Sequence, residues 1–368
     1  MLCEVPIQSV RAQAYTVPTD RPEADGTIAW NSTTLVLVEV EGGGRVGLGY
    51  TYSGACIAPL IRDTLAAVIT GKNALAPQAC FEAMQRAVRN LGREGLAGTA
   101  ISAVDTALHD LKARLLELPL VVALGARRTS IPIYGSGGFT TYSDDQLEQQ
   151  LGGWVAKDGC AYVKMKIGSE PERDPHRVAV AKHAIGDAAL FVDANGACDA
   201  RQAIRLAHIF SEQDVSWFEE PVSSDDLPGL AMVRQHAPDG MDVAAGEYAY
   251  TVDYVRTMLA AGAVDVQQAD ASRCGGFTGF LAIAALCDAF HVDLSGHCAP
   301  ALHLAVACAA PRMRHLEWFH DHVRIERILF DGAPQPCDGR IAPDLTAPGN
   351  GLVFKKKDAA PYAISEAA

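Results

Sequence analysis

Val163-Lys164-Met165-Lys166-Ile167 is the stretch on which the reading of this chain turns. Two lysines occupy alternate positions of an apolar run. In a strand, the period of two turns both ammonium groups to one face. Neighbouring like charges disfavour each other's protonated form, which lowers both pKa values and makes a lysine a base near neutral pH. The competing reading is a Lys-x-Lys on a solvated edge strand, and the surrounding chain decides between the two.

Outward from this run, short apolar stretches alternate with helical patterns. The stretches are 131–134, 162–167, 190–192, 215–218, 242–245, 263–266, 291–294 and 315–318, with helical segments at 144–157, 173–185, 200–211 and 277–290 among the connections. Strand and helix repeated about eight times over some 200 residues describe a (β/α)8 barrel. An open doubly wound sheet is the alternative, but no Gly-x-Gly-x-x-Gly enters a helix at the start of this region.

Barrels of this kind carry their chemistry at the C-terminal ends of the strands. Lys166, Asp193 and Glu219 end the second, third and fourth runs. Glu247, Asp270 and His297 follow the fifth, sixth and seventh, and Glu317 ends the eighth. Successive spacings of 27, 26, 28, 23, 27 and 20 residues each match one βα repeat, so these side chains converge on one mouth. Asp193, Glu219 and Glu247 are three hard oxygen donors on adjacent strands. Packed together they repel unless a cation sits among them, and an all-oxygen set favours Mg2+, with Mn2+ as the alternative, over zinc. Asp270 beside His297 fixes the imidazole tautomer and raises its basicity. Lys166 and His297 then face each other across a metal-bound carboxylate substrate, an arrangement suited to removing the proton next to that carboxylate.

Before the barrel the pattern is α+β. Residues 4–17 and 33–40 read as strands, 46–51 returns the chain after Glu41-Gly42-Gly43-Gly44 in a hairpin with a loop longer than the tightest class, and three helices follow. The third helix, 98–117, carries Ile101, Val104, Leu108, Leu111 and Leu115 at spacings of three and four. Pro18–Ser32, rich in Pro, Asp and Gly around Trp30, is expected to be a long loop, either a lid or an ordinary surface loop. The expected division is 1–125 as a capping domain, 126–325 as the barrel, and 326–368 as a Pro- and Gly-rich C-terminal segment in which Lys355-Lys356-Lys357 is a solvated run.

Composition narrows the function classes. A net charge of −13 argues against nucleic acid or an anionic membrane as partner. No stretch approaches a membrane span, and the first ten residues lack the form of a signal peptide. Ten scattered cysteines without a C-x-x-C pair fit small core residues in a reducing, cytoplasmic setting.

Lys164-Met165-Lys166, Asp193-Ala194-Asn195, Glu219-Glu220-Pro221, Gly246-Glu247, Gln268-Ala269-Asp270 with Arg273-Cys274-Gly275-Gly276, Gly296-His297 and Glu317 resemble, in order and spacing, the enolase superfamily, mandelate racemase subgroup. Ser102 to Leu111 resembles that family's long capping-domain helix. The resemblance implies a modified TIM barrel with an N-terminal α+β cap and a C-terminal segment packing on that cap. It implies Asp193, Glu219 and Glu247 as Mg2+ ligands. Lys164 would contact the substrate carboxylate and depress the pKa of Lys166. Lys166 and the His297–Asp270 pair would be the two bases, and Glu317 a protonated donor to the enolate. Asn195 would lie near metal or substrate. Trp30 and Tyr52, in or beside the cap loops, would help recognise substrate. A homo-oligomer is implied as well. The muconate-cycloisomerase type fits less well, because it carries a second lysine past the sixth strand, where this chain has Arg273 in a different local pattern. His303, in an apolar helix, reads as a packing histidine, while His320 and His322 read equally as mouth or loop residues.

The expected activity is therefore Mg2+-dependent enolisation of a small hydroxy carboxylate. Dehydration of a sugar acid to a 2-keto-3-deoxy acid leads. A racemase or epimerase of a 2-hydroxy acid is the alternative, and a non-catalytic binding scaffold is the remote one.

Overall fold

A computed structural model describes residues 4–364, so 1–3 and 365–368, the extreme ends of the first and third expected segments, lie outside the described residues. Eight parallel strands make the barrel: β4 (Ile131–Gly137), β5 (Tyr162–Lys166), β6 (Ala189–Asp193), β7 (Val215–Glu219), β8 (Asp242–Ala245), β9 (Val266–Ala269), β10 (Asp293–Gly296) and β11 (Met313–Phe319). They pair in chain order, and β11 returns to pair with β4, which closes the barrel. Val163 and Met165 of β5 point outward into the helical layer and are buried. Lys164 and Lys166 point inward, so the alternation read from the sequence holds and the solvated-edge reading falls. Beneath the mouth, Tyr134, Phe191, Trp217, Ala244 and Val266 fill the interior, with Phe191 and Trp217 stacked at 5.0 Å. This apolar floor closes the barrel interior below the polar layer.

Two barrel strands begin later than expected. The sixth starts at Val266 rather than Ala263, and the seventh at Asp293 rather than His291. Gln267 and Gln268 are buried polar residues inside the sixth strand, so its true extent is not an apolar run. His291 holds a left-handed C-cap of the preceding helix, with φ 57°.

The cap opens with a three-stranded antiparallel sheet in the order β1 (Ile7–Ala24), β2 (Ala29–Gly42), β3 (Arg45–Tyr52). The long loop expected at Pro18–Ser32 is not there. β1 and β2 continue through it as a ribbon whose turn is only 25–28. Pro18 and Pro22 belong to the composition that suggests a loop, yet β1 is an edge strand whose outer N–H groups need no ladder partner. The register shifts between Pro18 and Glu23, where the prolines are accommodated. The β2–β3 turn is also tighter than expected. Gly42 pairs with Arg45, and Gly43 and Gly44 take φ of 57° and 73°, the two-residue hairpin class that needs two left-handed residues.

Helix Leu96–Leu115 packs on β3 with Ile101, Val104, Leu108 and Leu111 buried. Contact is close because β3 presents glycines. A Cβ on Gly47 would lie 2.2 Å from the Ala107 carbonyl oxygen, and one on Gly49 would lie 2.4 Å from that of Ala103. The same helix meets barrel helix Gly276–Phe290, where Asp105 accepts hydrogen bonds from the Thr278 amide (3.0 Å) and hydroxyl (2.7 Å). In the C-terminal segment, β12 (Phe330–Asp331) pairs with β14 (Val353–Phe354), and β13 (Arg340–Ile341) runs antiparallel to β4. The segment then returns to the cap, where the Ile364 amide donates to the Ala14 carbonyl at 2.9 Å. Among the described residues, no helix is long and apolar enough to cross a membrane, and the cysteines are free thiols.

Candidate active site

The strand ends assemble the expected cluster. Asp193 on β6, Glu219 on β7 and Glu247 just past β8 are all buried, and each places one oxygen within 4.8 Å of the others. Lys166 Nζ lies 2.5 Å from Asp193 Oδ2 on one side. On the other side, His297 Nε2 lies 3.3 Å from Glu247 Oε2, while its Nδ1 donates to Asp270 Oδ2 at 2.9 Å. Lys164 Nζ contacts Glu219 and lies 2.8 Å from Glu317 Oε1 and 3.3 Å from Asp193 Oδ2.

Electrostatics in this layer follow from burying many acids together. Burial, reinforced by Asp193, Glu317 and Glu247, pushes Glu219 up to about 8 against the pull of Lys164. Asp193 goes the other way. Burial would raise it, but Lys166 and Lys164 bring it down to about 2. The expected mutual depression of the lysines is corrected here. Burial lowers Lys166 most, and Lys164 lowers it further, yet Asp193, Glu247 and Glu317 together hold it above its ordinary range. Lys-x-Lys repulsion was visible in the sequence, whereas the carboxylates that outweigh it arrive from three other strands. His297 is raised in the same way, since Glu247, Glu317 and Asp270 overcome its burial.

Glu317 also departs from expectation. Burial would favour its protonated form, but Lys164, His297 and Lys166 hold its carboxyl well below the usual range, which runs against the protonated donor that the resemblance implies. It accepts from Ser136 Oγ (2.6 Å) and from the Cys298 amide (3.0 Å).

The residues fit a divalent cation. Glu247 Oε2, Asn195 Oδ1 and Glu220 Oε2 are buried oxygens without a hydrogen-bond partner. Six buried acids (Asp193, Glu219, Glu220, Glu247, Asp270 and Glu317) face two buried lysines and His297, with Arg273 half-buried beside Asp270. Such an excess of negative charge needs a counterion, and the oxygen-only donor set suits Mg2+.

The remaining expected residues sit around the mouth. Asn195 follows Asp193 with φ 46°, its amide donating to Asp193 Oδ1 at 2.9 Å. Trp30 packs edge-on against Phe139 at 5.6 Å and donates to Glu23 Oε2 at 2.7 Å, which places it on an apolar wall that includes Cys298. Tyr52 lies at the seam of cap and barrel, stacked on His322, and spends its hydroxyl on the His322 carbonyl. His322 is thus buried at that seam, with Nδ1 accepting the Ala299 amide. His320 instead pairs with Asp20 of the ribbon at 3.1 Å. His303 packs as expected, with both ring nitrogens engaged by Ala271 and Ala299 backbone groups.

Sequence reading missed Ser136, Glu220 and Cys298. Ser136 is two residues beyond the inward-facing Tyr134, so strand phase was a signal for it. Glu220 turns inward through a left-handed φ of 39°, which alternation does not reveal. Cys298, with φ 52°, places Sγ 3.2 Å from His297 Nε2 and 3.3 Å from Glu317 Oε2.

Comparison with known proteins agrees with this geometry. Residues 10–125 match the mandelate racemase/muconate lactonizing enzyme N-terminal domain, and residues 146–359 match the enolase C-terminal domain-like family. A 3,6-anhydro-α-L-galactonate cycloisomerase of Streptomyces coelicolor is 31% identical over 95% of this chain and 97% of its own. An L-talarate/galactarate dehydratase of Salmonella typhimurium is 33% identical over 66% of this chain and 62% of its own. Among solved structures, a mandelate racemase/muconate lactonizing enzyme-like protein from Rubrobacter xylanophilus superposes with TM-score 0.96 at 48% identity, covering 98% of this chain and 100% of the other. A racemase from S. coelicolor with bound magnesium gives 0.91 at 30% identity, covering 97% and 100%. The chain therefore belongs to the enolase superfamily, in its mandelate racemase subgroup, and is a lyase or isomerase of that superfamily.

Proposed function

We propose that the protein converts a sugar acid into a 2-keto-3-deoxy acid by taking the α-proton and eliminating the oxygen on C3, with Mg2+ held by Asp193, Glu219 and Glu247. The observation that carries this reading is the pair of proton-transfer groups flanking the carboxylate triad, Lys166 against Asp193 and His297 against Glu247. When bound, Mg2+ would neutralise the triad and act as a Lewis acid on the substrate carboxylate. With the charges of Asp193 and Glu247 so engaged, Glu317 alone is left to raise Lys166 against burial and Lys164, which brings it toward the range of a base. Lys166 takes the proton from C2, and the electron pair moves into the carboxylate as an enediolate beside Lys164. Return of that pair forms the C2–C3 double bond and breaks C3–O. Imidazolium at His297, favoured by its acidic surroundings, gives the departing oxygen its proton. The resulting enol becomes the ketone by protonation at C3.

This scheme covers both curated relatives. If the oxygen on C3 is a hydroxyl, water leaves and the enzyme is a dehydratase. If it belongs to a ring, as the 3,6-anhydro name of one relative denotes, the ring opens and the enzyme is an isomerase. A racemase would use the same two groups without a leaving group, and the S. coelicolor structural relative supports keeping that reading. We further propose a homo-oligomer and a cytoplasmic setting.

Incubation of sugar acids, their lactones and 3,6-anhydro acids with protein and Mg2+ in deuterated water, followed by proton NMR and mass spectrometry, tests the proposal. A 2-keto-3-deoxy product supports it, and loss or retention of water separates dehydratase from cycloisomerase. Deuterium at C2 with inversion and an unchanged skeleton replaces it by the racemase. No exchange and no product with any acid overturns it.

A further inference from the structure

Beside the oxygen site lies a second donor set of different chemistry. His297 Nε2, Cys298 Sγ and Glu317 Oε2 form a triangle with sides of 3.2, 3.3 and 3.7 Å, and all three residues are buried. Zinc bonded to nitrogen and oxygen at about 2.0–2.2 Å and to sulfur at about 2.3 Å has tetrahedral edges of about 3.3–3.7 Å. The triangle is therefore close to one face of a zinc tetrahedron.

Two further observations point the same way. Asp270 accepts the Nδ1–H of His297, which leaves the Nε2 lone pair facing the thiol, the carboxylate–histidine arrangement that orients zinc ligands. Glu247 Oε2, buried and without a hydrogen-bond partner, faces the same Nε2 at 3.3 Å. Sulfur and nitrogen donors select Zn2+ over Mg2+, so the two adjacent sets differ in the metal they prefer.

We propose that His297, Cys298 and Glu317 form a thiophilic-metal site, adjoining the Mg2+ carboxylates at Glu247, at which Zn2+ binds and inhibits. On binding, the Sγ–H proton and any proton on His297 Nε2 pass to water as the sulfur–metal and nitrogen–metal bonds form, and His297 loses the lone pair it needs to move a proton. Zn2+ then blocks one of the two proton-transfer groups even when Mg2+ is saturating.

Co2+ is the probe, because cobalt bound to a thiolate shows a near-ultraviolet charge-transfer band that oxygen-bound cobalt lacks. Titration of Mg2+-saturated protein with Co2+ should give that band at one equivalent per chain, and Zn2+ should displace it. Cys298→Ser, Cys298→Ala and His297→Asn should each abolish it, while Cys56→Ser and Cys337→Ser, at exposed thiols, should keep it. Circular dichroism confirms that each variant is folded. No band in the wild type, a band surviving Cys298→Ser, or a band lost with either exposed thiol overturns the site. This readout needs no substrate, so its failure is separable from failure of the proposed reaction. Once a substrate is in hand, the Zn2+ concentration that halves turnover should rise at least tenfold in Cys298→Ser, and an unchanged value would remove the inhibitory role.

Discussion

Cap and barrel both bury charged side chains, but they do so on opposite terms. In the cap, Asp110 accepts from the Leu48 amide (2.7 Å), the Asn350 amide (2.6 Å) and Arg114 Nε (2.7 Å), so both of its carboxylate oxygens have donors. At the barrel mouth, acids outnumber cations and several oxygens are left without partners. The cap uses a buried charge to fix how elements meet. The mouth keeps charges unbalanced so that they bind something. Stability and function are thus placed in different halves of one molecule.

The sharpest way to break this comparison is at the mouth. Exhaustive chelation of Mg2+ should abolish turnover with full recovery on its return, and activity persisting in chelator would remove the metal from the scheme. Lys166→Ala and His297→Asn should each cut kcat by about 10²–10⁴-fold. Lys166→Ala should also stop exchange of the substrate α-hydrogen, as followed by NMR, whereas His297→Asn should leave that exchange and slow loss of the C3 oxygen. Wild-type exchange in Lys166→Ala, or loss of exchange in His297→Asn, would overturn these roles.

A middle-sized effect tests the contrast directly. Glu247→Gln relieves repulsion in the mouth, so it should inactivate the enzyme while stabilising the metal-free protein by about 1 kcal/mol in thermal unfolding. Asp110→Asn in the cap should instead destabilise it by about 2 kcal/mol, because a buried charge-assisted network loses its anion. If both substitutions shifted stability in the same direction, the division between the two halves would not hold. Gly47→Ala should cost about 1–3 kcal/mol, since its methyl would meet the Ala107 carbonyl oxygen rather than a movable side chain.

The smallest expected effect is a pH slope. Burial raises Glu326 to about 8, while Tyr50 and the Ala301 amide donate to it. A raised folded-state pKa means that its contribution is complete below the unfolded value of about 4.5 and is lost as pH climbs toward 8. Glu326→Gln should therefore flatten the fall in melting temperature between about pH 5 and 8 relative to wild type. Parallel profiles would show that the group does not titrate in that window.

What the sequence disclosed, and what it hid, follows the same line. Residues whose role depends on phase were legible. Lys166, Asp193, Glu219, Glu247, Asp270, His297 and Glu317 recur at the barrel interval, and the stripe of helix Leu96–Leu115 recurs at three and four. Residues whose role depends on what lies across space were not. The upward shift of Lys166 comes from carboxylates on other strands, the downward shift of Glu317 comes from Lys164, His297 and Lys166, and Cys298 is one thiol among ten until its backbone turns it toward His297. Pro18 and Pro22 misled because a proline signals a break only where a ladder bond is needed, and an edge strand needs half of them.

The return of the C-terminal segment to the cap has a consequence in time. Gln13 donates to the Ile364 carbonyl, and Tyr15 pairs with Ala363, across some 350 residues of chain. A ribosome adding about 5–20 residues per second makes the first of these positions roughly 20–70 s before the last. Throughout that interval β1 is an edge strand without the segment that finally covers it. The outer edge of β1 is therefore among the last surfaces of this chain to be covered, and it stays open to pairing with a neighbour until the C-terminal segment arrives.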